Sequence, residues 1–272
     1  MLETDRRKTF SFLLKMVGGH FDRRLQYDLF KQNFPDLLEE ARKQAQVNFE
    51  EYDKKLDEAI KNRIDEIDFN KFKEPNTQYL LNLSISHAAR KGTNIYLGIL
   101  SEALAASLGK GNSEILNIVS EQALEIIPKL TSGQIQILTL IHWIASCNLE
   151  GVKSISHTEY KNSIVHAMTL GIPEEHYSHL NYMNSLGILT LNHLQKRQAY
   201  TAIKVNYDIY SQTNVNDVMT DIKKHSPSLA KMANIHEDKQ LGAAYLTPVG
   251  MLIALISLRR IFPTLDYKIW IK

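Results

Sequence analysis

The sequence predicts a mainly α fold, a multi-helix bundle followed by a C-terminal winged-helix-like module that contains a small β-hairpin. Three observations carry this. Apolar residues recur about every 3.6 positions through most of the chain. Glycine and proline fall between the periodic stretches and seldom inside them. A period of two appears only beyond residue 150. With 272 residues, 44% of them apolar and 23% charged, the chain is long enough and apolar enough to bury a core without staples.

Residues 5–34 read as two short helices broken at Gly18-Gly19. A long amphipathic helix over about 36–68 follows, with Leu38, Ala41, Ala45, Phe49, Tyr52, Leu56, Ile60, Ile64 and Ile67 on one stripe. Its period suits a straight helix and not a left-handed coiled coil, and at about 1.5 Å per residue it would be roughly 45 Å long. The other faces are dense in charge, as in Glu50-Glu51-Tyr52-Asp53-Lys54-Lys55. A solvated face explains that charge; a helix this long also offers Phe49, Tyr52, Leu56 and Ile60 as a self-association stripe.

A four-helix segment occupies about 77–146. The first helix stops at Gly92 behind Arg90 and Lys91, and the second stops at Gly109. Ser113 caps the third, which Pro128 ends. Thr131 and Gln134 have capping-box spacing before the fourth, whose apolar residues (Ile135, Ile137, Leu138, Leu140, Ile141, Trp143, Ile144) cover nearly every side. Residues 1–150 thus form a helical domain, and 151–272 a second module. There the sequence predicts a polar loop over 151–158, a helix near 159–170, and another from Pro173 to the stop at Gly187. Two strands are expected next, a short one over 188–191 and a second marked by Ile203, Val205, Tyr207 and Ile209, with a polar turn between them. Residues 215–224 read as helix and 226–240 mostly as loop. Thr247 then caps a buried helix that begins at Pro248.

Charge and cysteine content narrow the function classes. Residues 1–150 hold 19 Lys+Arg against 21 Asp+Glu, whereas 151–272 hold 13 against 9 and seven of the ten histidines. The second half is mildly basic, well short of a dense nucleic-acid footprint. Cys147 is the sole cysteine, which excludes an internal disulfide and suits a reducing, cytoplasmic setting. Ser11 and Lys15 interrupt the apolar stretch Phe10 to Val17, so no signal peptide is expected, and no run reaches the ~20 apolar residues of a membrane span.

Glycine-rich phosphate loops, the nucleophile elbow and the paired-histidine helix of metalloproteases are all missing, so no catalytic residue is assigned and no cofactor is called for. Three weaker constellations stand beside their plainer readings. His176 and His179 lie one helical turn apart next to Glu174 and Glu175, as metal ligands or as surface histidines. Lys196 and Arg197 at the tip of the expected hairpin, with Lys204, are candidate contacts to a nucleic-acid backbone or members of a solvated turn. His142, beside Trp143 on the apolar helix, reads as a hydrogen-bonded core histidine.

Residues 74–141, from Glu-Pro-Asn-Thr-Gln-Tyr-Leu-Leu to Pro-Lys-Leu-Thr-Ser-Gly-Gln-Ile and onward, resemble the central region of an uncharacterised family of bacterial helical proteins. The charged helix before them and Tyr-Leu-Thr-Pro-Val-Gly at 245–250 sit where that family has similar features. No activity or catalytic residue comes with this resemblance. Pro-Lys-Leu-Thr at 128–131 and Leu-Thr-Pro-Val-Gly at 246–250 are also similar to the abortive-infection α proteins, which would imply a role in phage defence. The expectation is a non-enzymatic interaction protein that binds a protein partner or a second copy of itself, without a membrane. The alternatives are a nucleic-acid-binding regulator and a metal-dependent hydrolase.

Overall fold

The computed structural model describes residues 28, 30–33, 38–92, 94–146, 168–169, 171–174, 176–192, 194, 196–206, 210, 212–260 and 262. The chain divides into two compact units, Met1–Lys129 and Leu130–Lys272.

In the first unit, α1 (Glu39–Lys61) lies against both α2 (Pro75–Arg90) and α3 (Asn94–Ser107), and α3 also packs on α4 (Glu114–Ile126). The apolar stripe dictates this arrangement. Ala45, Phe49, Tyr52, Leu56, Ala59 and Ile60 are buried, whereas Glu39–Lys43, Glu51–Lys55 and Asp57–Lys61 form ion pairs one turn apart on the other faces. The helix stops before residue 68, where the stripe ends, because the next backbone has another partner. Ile67 makes an antiparallel bridge with Gly109, the Asp68 amide donates to the Leu108 carbonyl at 2.8 Å, and the Lys110 amide donates to Glu66 at 2.7 Å. Buried Arg63 stabilises that turn through Glu66 (3.0 Å) and Glu102 (3.9 Å). The amide of Asn48, on α1, donates to the Ala89 carbonyl at 2.9 Å and so satisfies an orphan acceptor at the end of α2. Ser113 caps α4 by accepting from the Leu116 amide at 3.3 Å.

In the second unit, α5 (Ser132–Ser146) is the central element, buried at every position from Gly133 to Ile144. It packs on α10 (Pro248–Arg259), α7 (Ala199–Asn206), α9 (Pro227–Asp238) and the strand β2 (Ala244–Leu246). The division at Lys129 therefore falls earlier than the change of texture near residue 150 suggests. An all-round apolar helix must be covered on every side, and the elements that cover α5 come from the C-terminal half. The capping box at its start forms as the spacing predicts. The Thr131 amide donates to Gln134 Oε1 at 2.8 Å and the Gln134 amide to Thr131 Oγ1 at 3.2 Å.

A small sheet accompanies these helices. β1 (Leu189–Leu191) pairs antiparallel with β2 in the register Leu189↔Leu246, Thr190↔Tyr245, Leu191↔Ala244. This is not the expected hairpin, because α7, α8 (Val215–His225) and α9 intervene between the strands. Residues 203–206, expected as strand, belong to α7; the remainder of that run, 207–209, lies outside the described residues. The alternation Ile203, Val205 misleads because Val205 is 76% exposed, and the buried set Ala199, Tyr200, Ile203 has helical spacing. Residues 226–240, expected mostly as loop, hold α9. Its first residue is Pro227, a favourable start, and Leu229, Ala230, Met232, Ala233 and His236 form its buried face. Thr247 caps α10 by accepting from the Gly250 amide at 3.4 Å while its hydroxyl donates to the Gly187 carbonyl at 2.8 Å. The helices expected over 5–27 and 159–167, the loop over 151–158, and Cys147 lie outside the described residues.

Candidate functional site

The self-association stripe is already covered. Phe49 is 3% exposed, Tyr52 and Leu56 are fully buried and Ile60 is 1% exposed, all within the first unit, where α2 and α3 lie against their helix. Phe49 also stacks on Phe30, with ring centroids 5.3 Å apart. These four residues form a core seam and present no free face. The burial pushes the Tyr52 hydroxyl well above the usual tyrosine range.

The basic residues expected at a wing tip are divided between two places. Lys196 and Arg197 lie just before α7, and Lys204 lies in the last turn of that helix. Lys196 Nζ donates to Gln240 Oε1 at 3.2 Å. The Arg197 amide donates to the Gly242 carbonyl at 2.9 Å, and its guanidinium stands 4.6 Å from the centre of the Tyr245 ring. Glu237 and Asn234 complete this attachment, accepting from the Ala199 amide at 2.5 Å and from the Tyr200 hydroxyl at 2.9 Å. Residues 196–200 are therefore docked on the end of α9 and on β2. No side-chain bond brings Lys204 into this group among the described residues.

His176 and His179 both lie on α6 (His176–Ser185), but their ring nitrogens take different partners. Nδ1 of His179 is 3.0 Å from Gln134 Nε2, so it accepts a hydrogen bond from the capping-box side chain. Nδ1 of His176 is 3.2 Å from the Glu174 carbonyl, to which only its protonated form donates. Glu174 turns to Lys239 at 3.0 Å. Among the described residues, no group of three or more His, Cys, Asp or Glu is arranged to hold a metal ion.

Two further histidines are buried in the second unit. His142 on α5 is 5% exposed and His236 on α9 is 2% exposed. Burial holds both rings down at about 4, and the nearby Arg197 cation adds to the effect at His236. Both are thus neutral core groups at physiological pH. Sequence reading placed His142 there but missed His236, since residues 226–240 carry few apolar side chains and their helical face is narrow.

Two exposed features were also missed. On α4, Ile115 and Ile118 are 47% and 44% exposed and one turn apart, while Leu116, Val119, Ala123 and Leu124 fill the opposite face. The signal was present, because apolar residues on α4 exceed one stripe. In the second unit, α8 and α9 follow one another across Ser226, and Lys223, Lys224 and Lys231 are exposed near that turn.

No helix of the described residues is long and apolar enough to cross a membrane. No curated protein and no solved structure matches the sequence. A family model does, over residues 22–216 and 209–271, and it describes an uncharacterised family. The two matched stretches cover both units, and the chain belongs to that uncharacterised family.

Proposed function

We propose that this is a non-enzymatic interaction protein that acts through protein–protein contacts. The observation that carries the reading is the outer face of α4, where Ile115 and Ile118 stay about half exposed on a helix whose other side is fully packed. Apolar side chains paired on one turn lose their contact with water when a protein surface covers them. A second copy of the chain is the simplest occupant. Sedimentation velocity over a concentration series tests it. The expected result is a concentration-dependent oligomer that Ile118→Lys, with Ile115→Lys, converts to monomer. A wild-type protein that stays monomeric at tens of micromolar removes self-association.

A place in phage defence is the finer part of this proposal, supported by the likeness of residues 128–131 and 246–250 to abortive-infection α proteins. Expression in a phage-sensitive bacterium should lower plating efficiency for some phages. Unchanged plating across a broad panel rejects that role.

A second reading, nucleic-acid binding, is favoured by the α8–α9 pair with Lys223, Lys224 and Lys231 near its turn. It predicts salt-sensitive retardation of DNA or RNA that Lys→Gln changes at these three positions abolish. No retardation at low salt excludes it.

A further inference from the structure

The capping box that opens α5 is also the place where α6 is fastened. Gln134 is 3% exposed, and both ends of its side-chain amide are engaged. Its Oε1 accepts from the Thr131 amide at 2.8 Å, and its Nε2 lies 3.0 Å from Nδ1 of His179 on α6. A second feature holds the two elements together at this level. A Cβ on Gly133 would run into the Gly171 carbonyl oxygen and meet Pro173 Cδ at 3.0 Å, so the chain entering α6 lies directly on the first turn of α5.

This geometry decides where the ring carries its proton. A backbone N–H can be met only by an acceptor, so Thr131 fixes which end of the Gln134 amide is the oxygen. The opposite end is then the NH2 group, and His179 Nδ1 must accept from it. The ring is therefore neutral, with its proton on Nε2. A proton added at Nδ1 would set donor against donor at 3.0 Å. Turning the Gln134 amide around satisfies the charged ring, but it takes Oε1 away from the Thr131 amide and opens the capping box.

The other ionisable groups around His179 leave this coupling undisturbed. On α6, His176 donates from Nδ1 to the Glu174 carbonyl at 3.2 Å, a bond that a charged ring keeps; the remaining ionisable residues there are the phenols Tyr177 and Tyr182. Glu174, just ahead of α6, is paired with Lys239 at 3.0 Å. The strand β1, which packs on α6, has no ionisable side chain. On α5 there is only His142, about two turns beyond Gln134, and burial keeps it neutral down to about pH 4.

We propose that Gln134 and His179 form a proton-operated switch of the α5 cap. The neutral ring holds Gln134 in the capping orientation; a proton on the half-buried ring turns the amide and frees the Thr131 N–H. Because α5 is the helix around which the second unit is built, a single exchangeable proton reaches the start of its core element.

Nuclear magnetic resonance of the full chain, with histidine, threonine and glutamine labelled, tests this between pH 8 and pH 5. At pH 8 the His179 ring should be the Nε2–H tautomer and show a nuclear Overhauser contact to the Gln134 side-chain amide. As the ring takes its proton, the Thr131 amide proton should shift upfield with the same midpoint, because its bond to Oε1 is lost. In His179→Asn, the side-chain oxygen can accept in place of Nδ1 and binds no proton, so the Thr131 amide should stay in place over the whole range. Circular dichroism confirms that this variant is folded; should it not be, the wild-type readings decide alone. A wild-type ring in the Nδ1–H tautomer, a Thr131 amide that does not move as His179 titrates, or the same movement in folded His179→Asn overturns the proposal.

Discussion

At the residue scale, Gly250 and Gly111 show two different reasons for lacking a side chain. A Cβ on Gly250 would meet the Ile188 carbonyl oxygen at 2.0 Å, so α10 could approach the chain before β1 only at a glycine. Gly111 has nothing within 4 Å of that point but has φ +62°, so its need is conformational. Gly250→Ala should therefore cost more than ~2 kcal/mol through displaced backbone, and Gly111→Ala about 1 kcal/mol. Urea unfolding of the two variants checks the order; equal costs would contradict the close approach. Gly111 in Lys110–Asn112 was recognisable as a turn glycine from its neighbours. The demand on Gly250 was not, since it comes from a carbonyl 62 residues away in sequence.

At the element scale, helix ends and helix faces gave different returns. The Thr131–Gln134 box and the Thr247 cap are local motifs, and both form where the spacing places them. Thr131→Ala should lower stability by about 1 kcal/mol, seen as a lower thermal midpoint. Faces are harder to assign. The stripe through Phe49 and Leu56 is the same sequence pattern whether it meets a second chain or its own neighbours. Because α2 and α3 cover it, Leu56→Ala should destabilise the folded unit by about 2–5 kcal/mol even in a dilute monomer. A loss confined to oligomer formation, with unfolding unchanged, would restore the stripe as an interface. Residues 203–206 and 226–240 were misread for one shared reason. Short helices with a narrow buried face carry too few apolar residues to reveal their period.

At the scale of the whole molecule, the two buried histidines make the Leu130–Lys272 unit sensitive to acid. Both have folded values near 4, below the usual 6.5, so the unfolded chain takes up their protons first. The stability they contribute is complete above about pH 6.5 and is lost as pH falls toward 4, at roughly 1.4 kcal/mol per unit for each ring. Thermal midpoints measured from pH 7 to pH 4 should fall, and His236→Gln should make the fall shallower. Identical slopes in the two proteins would show that His236 is not buried neutral.

What the sequence determined by itself was whatever depends on near neighbours: the helical class, most helix limits up to Ser146, the caps at Ser113, Thr131 and Thr247, and the buried character of α5. These follow from propensity, spacing and turn chemistry within a few residues. The tertiary structure alone decided that β1 pairs with the distant β2, that α5 belongs with the C-terminal unit, and that the α1 stripe is interior. Only it docks Arg197 against Gly242 and the Tyr245 ring. The physical reason is common to all of these. Burial and pairing are relations between segments far apart in the chain, and an apolar or charged face carries no record of which surface will meet it.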